Sequence, residues 1–450
     1  MTDVRVAAAG VLLAIERGDE TLAAALDRVR PDVAPVDRGL LQELATGTLR
    51  WRNELDAVIA TAARRSVKSI DPDVLAVLRL GAYQLRHLTR VPTHAVVDGA
   101  VRSIKTLRRA SAASFVNAVL RAIVRRGPAI ALPKRPATAD DVDGWTRYLT
   151  TTLSHPAWLV RRWIDRYGPE AAETWCVFNN TSPPVTVRAT AGHSIDELRM
   201  ALEAAGVAYR PARYVSDALE LPAGTLGSLP ADLVAMVRPQ DEGAQLVARM
   251  AAARPGERIL DLCAAPGGKT LVLADDLRCG DPGAGSRLIA ADYRAGRVAL
   301  LCETLSRSHR HLPVVRLDAR GPLPFSDTFD AVLVDAPCSG LGTIRREPDL
   351  KWSRTAEDLP VLAEGQLRML HAAAGTVVPG GRIVYATCSS EPEEDAEVVN
   401  RFLARDRRFS LLAPDDGRVP AMMLTERGEL FTRPDRDGLE VYYAAVLVRL

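Results

Sequence analysis

The sequence predicts a multidomain chain: an all-α N-terminal domain, a small α+β middle module, and a C-terminal α/β domain built on a doubly wound parallel sheet. Three observations carry this. Residues 1 to 136 repeat apolar side chains at helical spacing between helix-capping signals. From Asp241 onward, short apolar runs alternate with helical patterns, which implies a parallel sheet. Between them lies a stretch rich in Pro and Ala, followed by one clear strand and one clear helix. A length of 450 residues suits two to four domains, and 47% hydrophobic content is ample for their cores.

In the N-terminal domain, Asp71 caps a helix that has Pro72 at its first position and Asp73 in its first turn. Leu75, Leu78, Ala82 and Leu85 then follow on one face. Thr93 to Val97 opens another helix after Pro92. A further helix carries Phe115, Val119 and Ile123 and ends at Arg125-Arg126-Gly127, a cationic last turn followed by glycine. Ala131 to Asp143 reads as a linker, and His155 to Tyr167 as an amphipathic helix. The middle module, about 145–235, holds a strand at Val185–Arg188 and a helix at Ile195–Ala205. The C-terminal domain, 236–450, supplies five strands: Arg258–Cys263, Arg287–Tyr293, Pro313–Ala319, Phe329–Pro337 and Arg382–Ser389.

Net charge is only +2, yet it is unevenly spread. Met1 to Pro136 carries 22 Lys and Arg against 13 Asp and Glu, a net +9, which leaves −7 for the rest. A basic helical domain joined to an acidic one suggests a polyanionic partner, and the Arg108, Arg109, Arg121, Arg125, Arg126 group suits phosphate oxygens. A merely solvated charged face is the competing reading. The six cysteines form no CxxC pair and no zinc spacing, so no metal is expected. No secretory signal and no apolar run of about 18 residues is present. A cytoplasmic chain with free thiols, off the membrane, is expected.

Strand one leads into Cys263-Ala264-Ala265-Pro266-Gly267-Gly268-Lys269-Thr270. A Gly-rich turn between strand and helix lets backbone approach a ligand, with helix amides aimed at it. A phosphate-binding GxxxxGK[ST] loop is excluded because Cys263 stands at its first glycine position, and GxGxxG is absent. An S-adenosylmethionine loop is the remaining ligand reading, set against an ordinary βα turn. Lys269 favours the ligand reading: a cation in a helix's first turn opposes the macrodipole and needs another role.

In doubly wound sheets, ligands sit beyond the carboxyl ends of the strands. The expected ends carry Asp261, Asp292, Asp318, Asp335 and Cys388. Each acid alone could be a helix cap; the set points to a site. Asp292, 24 residues after Gly268, suits a ribose, and Asp318 suits an adenine amino group. Cys338, in Asp335-Ala336-Pro337-Cys338, and Cys388, in Thr387-Cys388-Ser389, would meet at one cleft. Thiols there have a use if the target is carbon 5 of cytosine. That carbon is too weak a nucleophile to take a methyl group until a thiolate adds to carbon 6. A carboxyl such as Asp335 can assist at the N3 edge, and the base must be unstacked to enter.

Phe329 to Gly340 resembles the signature of the Sun/Fmu (NOL/NOP) RNA cytosine-C5 methyltransferases, which have a Rossmann-like catalytic domain. Cys263–Lys269, Thr387-Cys388-Ser389 and the Pro239–Gln245 lead-in are similar to other motifs of that family. The resemblance implies Cys388 as nucleophile and Cys338 as the thiol that assists release of methylated RNA. It also implies S-adenosylmethionine as cofactor, held by Cys263, Ala264, Ala265, Pro266, Gly267, Gly268, Lys269, Asp292, Asp318 and Asp335. Val91–Val97 and Phe115–Arg121 resemble the NusB-like RNA-binding domain. Together these resemble the family members that act on 16S ribosomal RNA, which makes RNA the expected partner. Arg188-Ala189-Thr190 departs from the Arg-Val-Asn frequent in relatives.

Three rival functions stand against this expectation. A DNA cytosine methyltransferase would use the Pro-Cys thiol and lack Thr387-Cys388-Ser389. The same chemistry could act on tRNA. A NusB-like antitermination factor could carry a passive methyltransferase half, but the intact acids and both thiols argue against decay.

Overall fold

The computed structural model describes residues 2–279, 285–326, 328–413 and 417–450. The chain forms two compact units: Met1–Ser182 with Ile344–Ala356, and Pro183–Thr343 with Glu357–Leu450.

The first unit is helical. Its core is built by α1 (Val4–Arg17), α2 (Leu22–Val29), α3 (Arg38–Arg50), α4 (Arg52–Ala63), α5 (Pro72–His87), α6 (Thr93–Thr106) and α7 (Ala113–Arg126). The helix starts follow capping chemistry: the Asp71 carboxylate accepts from the Asp73 backbone N–H, with Pro72 at the first position. Gly127, at φ 44°, ends α7 by donating to the Ile123 carbonyl. Leu75, Leu78, Ala82, Val119 and Ile123 are buried in the common core. Three more helices, α8 (Val142–Arg147), α9 (Ala157–Tyr167) and α10 (Pro169–Asn179), follow the linker.

Residues 344–356 also belong to this unit, although they follow directly on the Pro-Cys motif in sequence. Lys351 is fully buried and donates to the Arg50 carbonyl, the Ser154 carbonyl and Asn180 Oδ1 at 3.0–3.1 Å, one acceptor for each ammonium proton. Trp352 Nε1 donates to the Leu49 carbonyl, and Asp349 accepts from the Leu22 N–H.

The second unit begins with a four-stranded antiparallel sheet of β1 (Val185–Ala189), β2 (Arg210–Pro211), β3 (Ala218–Leu221) and β4 (Val237–Pro239), in the order β2-β3-β1-β4. Helices α11 (Ile195–Ala204) and α12 (Ala231–Met236) cover it through Leu198, Leu202 and Leu233. A capping box at Ser194 and Glu197 starts α11. Three of these strands, β2, β3 and β4, were not expected from the sequence, because runs of two to four residues are too short to show alternation.

The larger sheet comprises β5 (Arg258–Asp261), β6 (Arg287–Asp292), β7 (Val314–Arg316), β8 (Phe329–Asp335), β9 (Val377–Thr387), β10 (Phe409–Leu412), β11 (Leu430–Phe431) and β12 (Tyr443–Arg449). Its order is β10-β12-β9-β8-β5-β6-β7, with β11 on β12. The strands β5 to β9 run parallel; β12 runs antiparallel to β9, and β10 antiparallel to β12. The five expected strands are all present, and three more, joined through antiparallel pairing on β12, extend the sheet past β9. The third is shorter than expected, so Asp318 lies in the loop beyond β7 rather than on its end. From β5 the chain builds outward to β6 and β7, then returns to place β8 on the other side. That reversal opens a crevice at the carboxyl ends of β5 and β8.

Candidate active site

The crevice floor is the turn from β5 into α13's successor α14, where α13 is Glu242–Arg249 and α14 is Gly268–Asp276. Gly267 has φ +109°, and a Cβ there would come within 3.0 Å of Leu301. The Ala264 N–H donates to the Ala291 carbonyl at 2.8 Å, and the Ala265 N–H to Asp292 Oδ2 at 3.2 Å. Asp292, at the end of β6, also takes the Arg294 N–H and Arg297 Nε. Strand ends and loop are thereby tied into one surface.

Asp261 is fully buried. Its Oδ2 accepts from Thr270 Oγ1 at 2.6 Å, while Oδ1 has no partner. Burial raises its pKa to about 7, against the lowering effect of the Thr270 hydrogen bond. Beside Gly268 lies the Gln240 side chain, buried, with both amide atoms unpartnered. Unmatched buried polar atoms on both sides of a glycine turn are what a zwitterionic ligand would satisfy. The loop residues Cys263 to Lys269, with Asp261 and Gln240, therefore fit S-adenosylmethionine. Asp318 is placed differently. Arg320 forks onto it at 2.7 and 2.9 Å, and these hydrogen bonds hold its pKa down to about 2. Arg320 in turn stacks over Tyr293, 5.1 Å from the ring centroid.

Lys269, the cation that opposed the helix dipole, turns to Asp335 at the end of β8, with Nζ 2.7 Å from Oδ2. Burial disfavours its charge, but Asp335 more than offsets this and the ammonium's pKa is raised. Its other face looks onto the Tyr442 ring, 5.9 Å away.

The two thiols meet. Cys338 Sγ and Cys388 Sγ are 3.3 Å apart, and the Cys388 N–H points at Cys338 Sγ from 3.4 Å. The hydrogen bond to Cys388, followed by burial, pushes the Cys338 thiol well above its ordinary value. Burial likewise raises the Cys263 thiol. Backbone fixes both cysteine loops: the Ala336 N–H donates to the Ala386 carbonyl, and the Gly342 N–H to the Cys388 carbonyl at 2.9 Å. A Cβ on Gly342 would lie 2.7 Å from that carbonyl and closer still to the Val441 carbonyl, so only glycine fits.

The structure thus brings Asp261, Lys269, Asp292, Asp335, Cys338 and Cys388 to one crevice, with Asp318 at its edge on Arg320. Sequence reasoning missed Gln240, Tyr442 and the buried polar groups behind the thiols: Ser339, Ser389 and Glu394. In the acidic stretch Glu391-Pro392-Glu393-Glu394-Asp395, Glu391, Glu394 and Asp395 are buried. Only their position just after Cys388 could have signalled a role.

Comparison with known proteins agrees with this architecture. Residues 2–125 match the NusB family, 155–225 the RsmF/B-like methyltransferase ferredoxin-like domain, and 248–448 the family described as 16S rRNA methyltransferase RsmB/F. The chain is 36% identical to the ribosomal RNA small subunit methyltransferase B of Pseudomonas putida, over 99% of this chain and 98% of that one. It is 34% identical to the probable counterpart in Bacillus subtilis, over 86% and 85%. Among solved structures, that of PH0851 superposes with a TM-score of 0.79 over 99% of both chains at 22% identity, a likeness of fold. The chain belongs to the family of ribosomal RNA small subunit methyltransferases B, enzymes that use S-adenosylmethionine to methylate ribosomal RNA.

Proposed function

We propose that the protein methylates carbon 5 of a cytosine in 16S ribosomal RNA through a covalent adduct between Cys388 and carbon 6. One observation carries this reading: two thiols in contact at adjacent strand ends, beside a carboxylate with its own ammonium partner. The Cys338 thiol, raised well above its ordinary value, keeps its proton and can serve as the hydrogen-bond donor of the pair at 3.3 Å.

The Cys388 thiolate adds to carbon 6 of an unstacked cytosine, and the electron pair moves to carbon 5. Asp335 hydrogen-bonds the N3 edge, and Lys269 fixes the orientation of that carboxyl. S-adenosylmethionine supplies the methyl group that carbon 5 takes up. A base then takes the carbon 5 proton, the electron pair restores the carbon 5–carbon 6 double bond as the Cys388 sulfur–carbon 6 bond breaks, and Cys338 assists this release. Cys263 to Lys269, Asp292, Asp318 and Asp335 form the cofactor and base pocket. Within this reading, residues 1–136 are the NusB-like RNA-binding domain, 145–235 a linking RNA-binding module and 236–450 the catalytic domain, acting in the cytoplasm where ribosomal RNA is assembled. Exposed Arg102, Lys105, Arg108, Arg121 and Arg125 supply phosphate contacts.

The test is a pair of variants. Cys388→Ala should bind RNA and transfer no methyl group. Cys338→Ala should accumulate covalent protein–RNA complexes that survive denaturation. Parental turnover by Cys388→Ala, or no complexes with Cys338→Ala, would remove the roles assigned here.

A further inference from the structure

Behind the two thiols lies a fully buried carboxylate that the chemistry above does not use. Glu394 sits on the short turn Pro392–Glu394, six residues after Cys388. Its Oε1 accepts from the Ser339 N–H and from Gln366 Nε2, both at 2.9 Å. Its Oε2 accepts from Ser389 Oγ at 2.7 Å. Ser339 and Ser389 are the residues that immediately follow Cys338 and Cys388, and their hydroxyls are 3.3 Å apart. Gln366 Nε2 also donates to the Pro337 carbonyl at 3.1 Å, so the residue before Cys338 is tied to the same point. Tyr385, on β9, directs its hydroxyl at the Glu394 carbonyl and at Gln366 Oε1.

A buried carboxylate is costly unless its oxygens are matched, and here three donors meet it. Those donors come from three separate segments: the loop after β8, the loop after β9, and the helix Asp358–Ala374. An apolar residue would pack the space but would leave the Ser339 N–H without its acceptor.

We propose that Glu394 is a positioning residue that sets the separation of the Cys338 and Cys388 sulfurs. The proposal rests on the reading of these thiols as the reacting pair. Each loop can shift only by breaking a bond to the same carboxylate, so the spacing of the sulfurs is fixed from behind while their front faces the substrate. Misplacement of a reacting group by about 1 Å can cost on the order of 100-fold in rate.

The experiment compares Glu394→Ala and Glu394→Gln with the parent, using full-length protein. Two quantities are read. The first is the rate at which diamide, which takes up the two hydrogens, joins Cys338 to Cys388 as a disulfide, scored by peptide mapping. The second is kcat for methyl transfer, alongside KM for RNA and the affinity for S-adenosylmethionine. Glu394→Ala should slow bridging and lower kcat by about 100-fold, while KM and cofactor affinity stay within about twofold. Glu394→Gln should recover most of both. Its amide oxygen can take the Ser339 N–H and Gln366, and its amide N–H can donate to Ser389 Oγ, which is free to rotate. A folded Glu394→Ala protein that bridges its thiols at the parental rate would overturn the proposal. Should that variant not fold, Ser389→Ala removes one arm of the clamp with little change in volume and is read against the same two outcomes. Bridging is independent of methyl transfer. A parent that bridges quickly but methylates nothing would therefore count against the proposed chemistry and leave the role of Glu394 standing.

Discussion

At the residue scale the site is a set of buried polar groups, matched by partners from neighbouring segments or left for a ligand. Asp261 shows what an unmatched oxygen does. Burial raises its pKa from the ordinary carboxyl range to about 7. The native state then binds more protons than the unfolded chain between about pH 4 and the folded value, so stability falls as pH rises through that window. Asp261→Asn, which keeps the shape and removes the charge, should flatten this fall in thermal melts of the cofactor-free protein at pH 5 to 8. An unchanged slope would show that other groups carry it. The acids at the strand ends were legible in the sequence because an acid closing an apolar run is rare in a core. Their partners were not. Nothing in the chain order says that Lys269 reaches Asp335, or that Asp318 is taken by Arg320 two residues on.

At the scale of elements, the five parallel strands could be read because each is an apolar run bounded by turn residues. Their ends slid by a few residues where burial, not pattern, decides. β12 escaped notice because Tyr443–Arg449 is a continuous apolar run flanked on both sides by sheet, a pattern that a buried helix shares. Residues 344–356 escaped for another reason: their anchoring is polar. Lysines are almost never fully buried unless paired, and Lys351 is buried because it serves three buried oxygens. Lys351→Met should fill the space and leave those oxygens without a donor. A loss of about 3 kcal/mol is expected, a fall in melting midpoint of roughly 6–12 °C for a unit of this size. A midpoint within about 1 °C of the parent would mean that the oxygens find other partners.

At the scale of the whole molecule, charge is unevenly divided along the chain. The N-terminal 136 residues carry net +9, and from 101 to 136 there are nine basic residues and no acid. Most of these are exposed on α6, α7 and the turn between them. RNA affinity should therefore fall linearly with salt on a logarithmic plot as counterions are released. Replacing Arg121 and Arg125 by Gln should reduce that slope by about 1 to 2 without altering kcat at saturating RNA. A slope unmoved by these changes would place the phosphate contacts elsewhere.

The central claim, cytosine carbon 5 methylation of small-subunit ribosomal RNA, is tested most directly by one labelling measurement. The protein is incubated with radiolabelled S-adenosylmethionine and deproteinised 16S RNA, tRNA or DNA, and the nucleosides are then separated. Label in 5-methylcytidine from 16S RNA, and not from the other two, is the predicted result. Label in any other nucleoside of 16S RNA, or in tRNA or DNA instead, would contradict it.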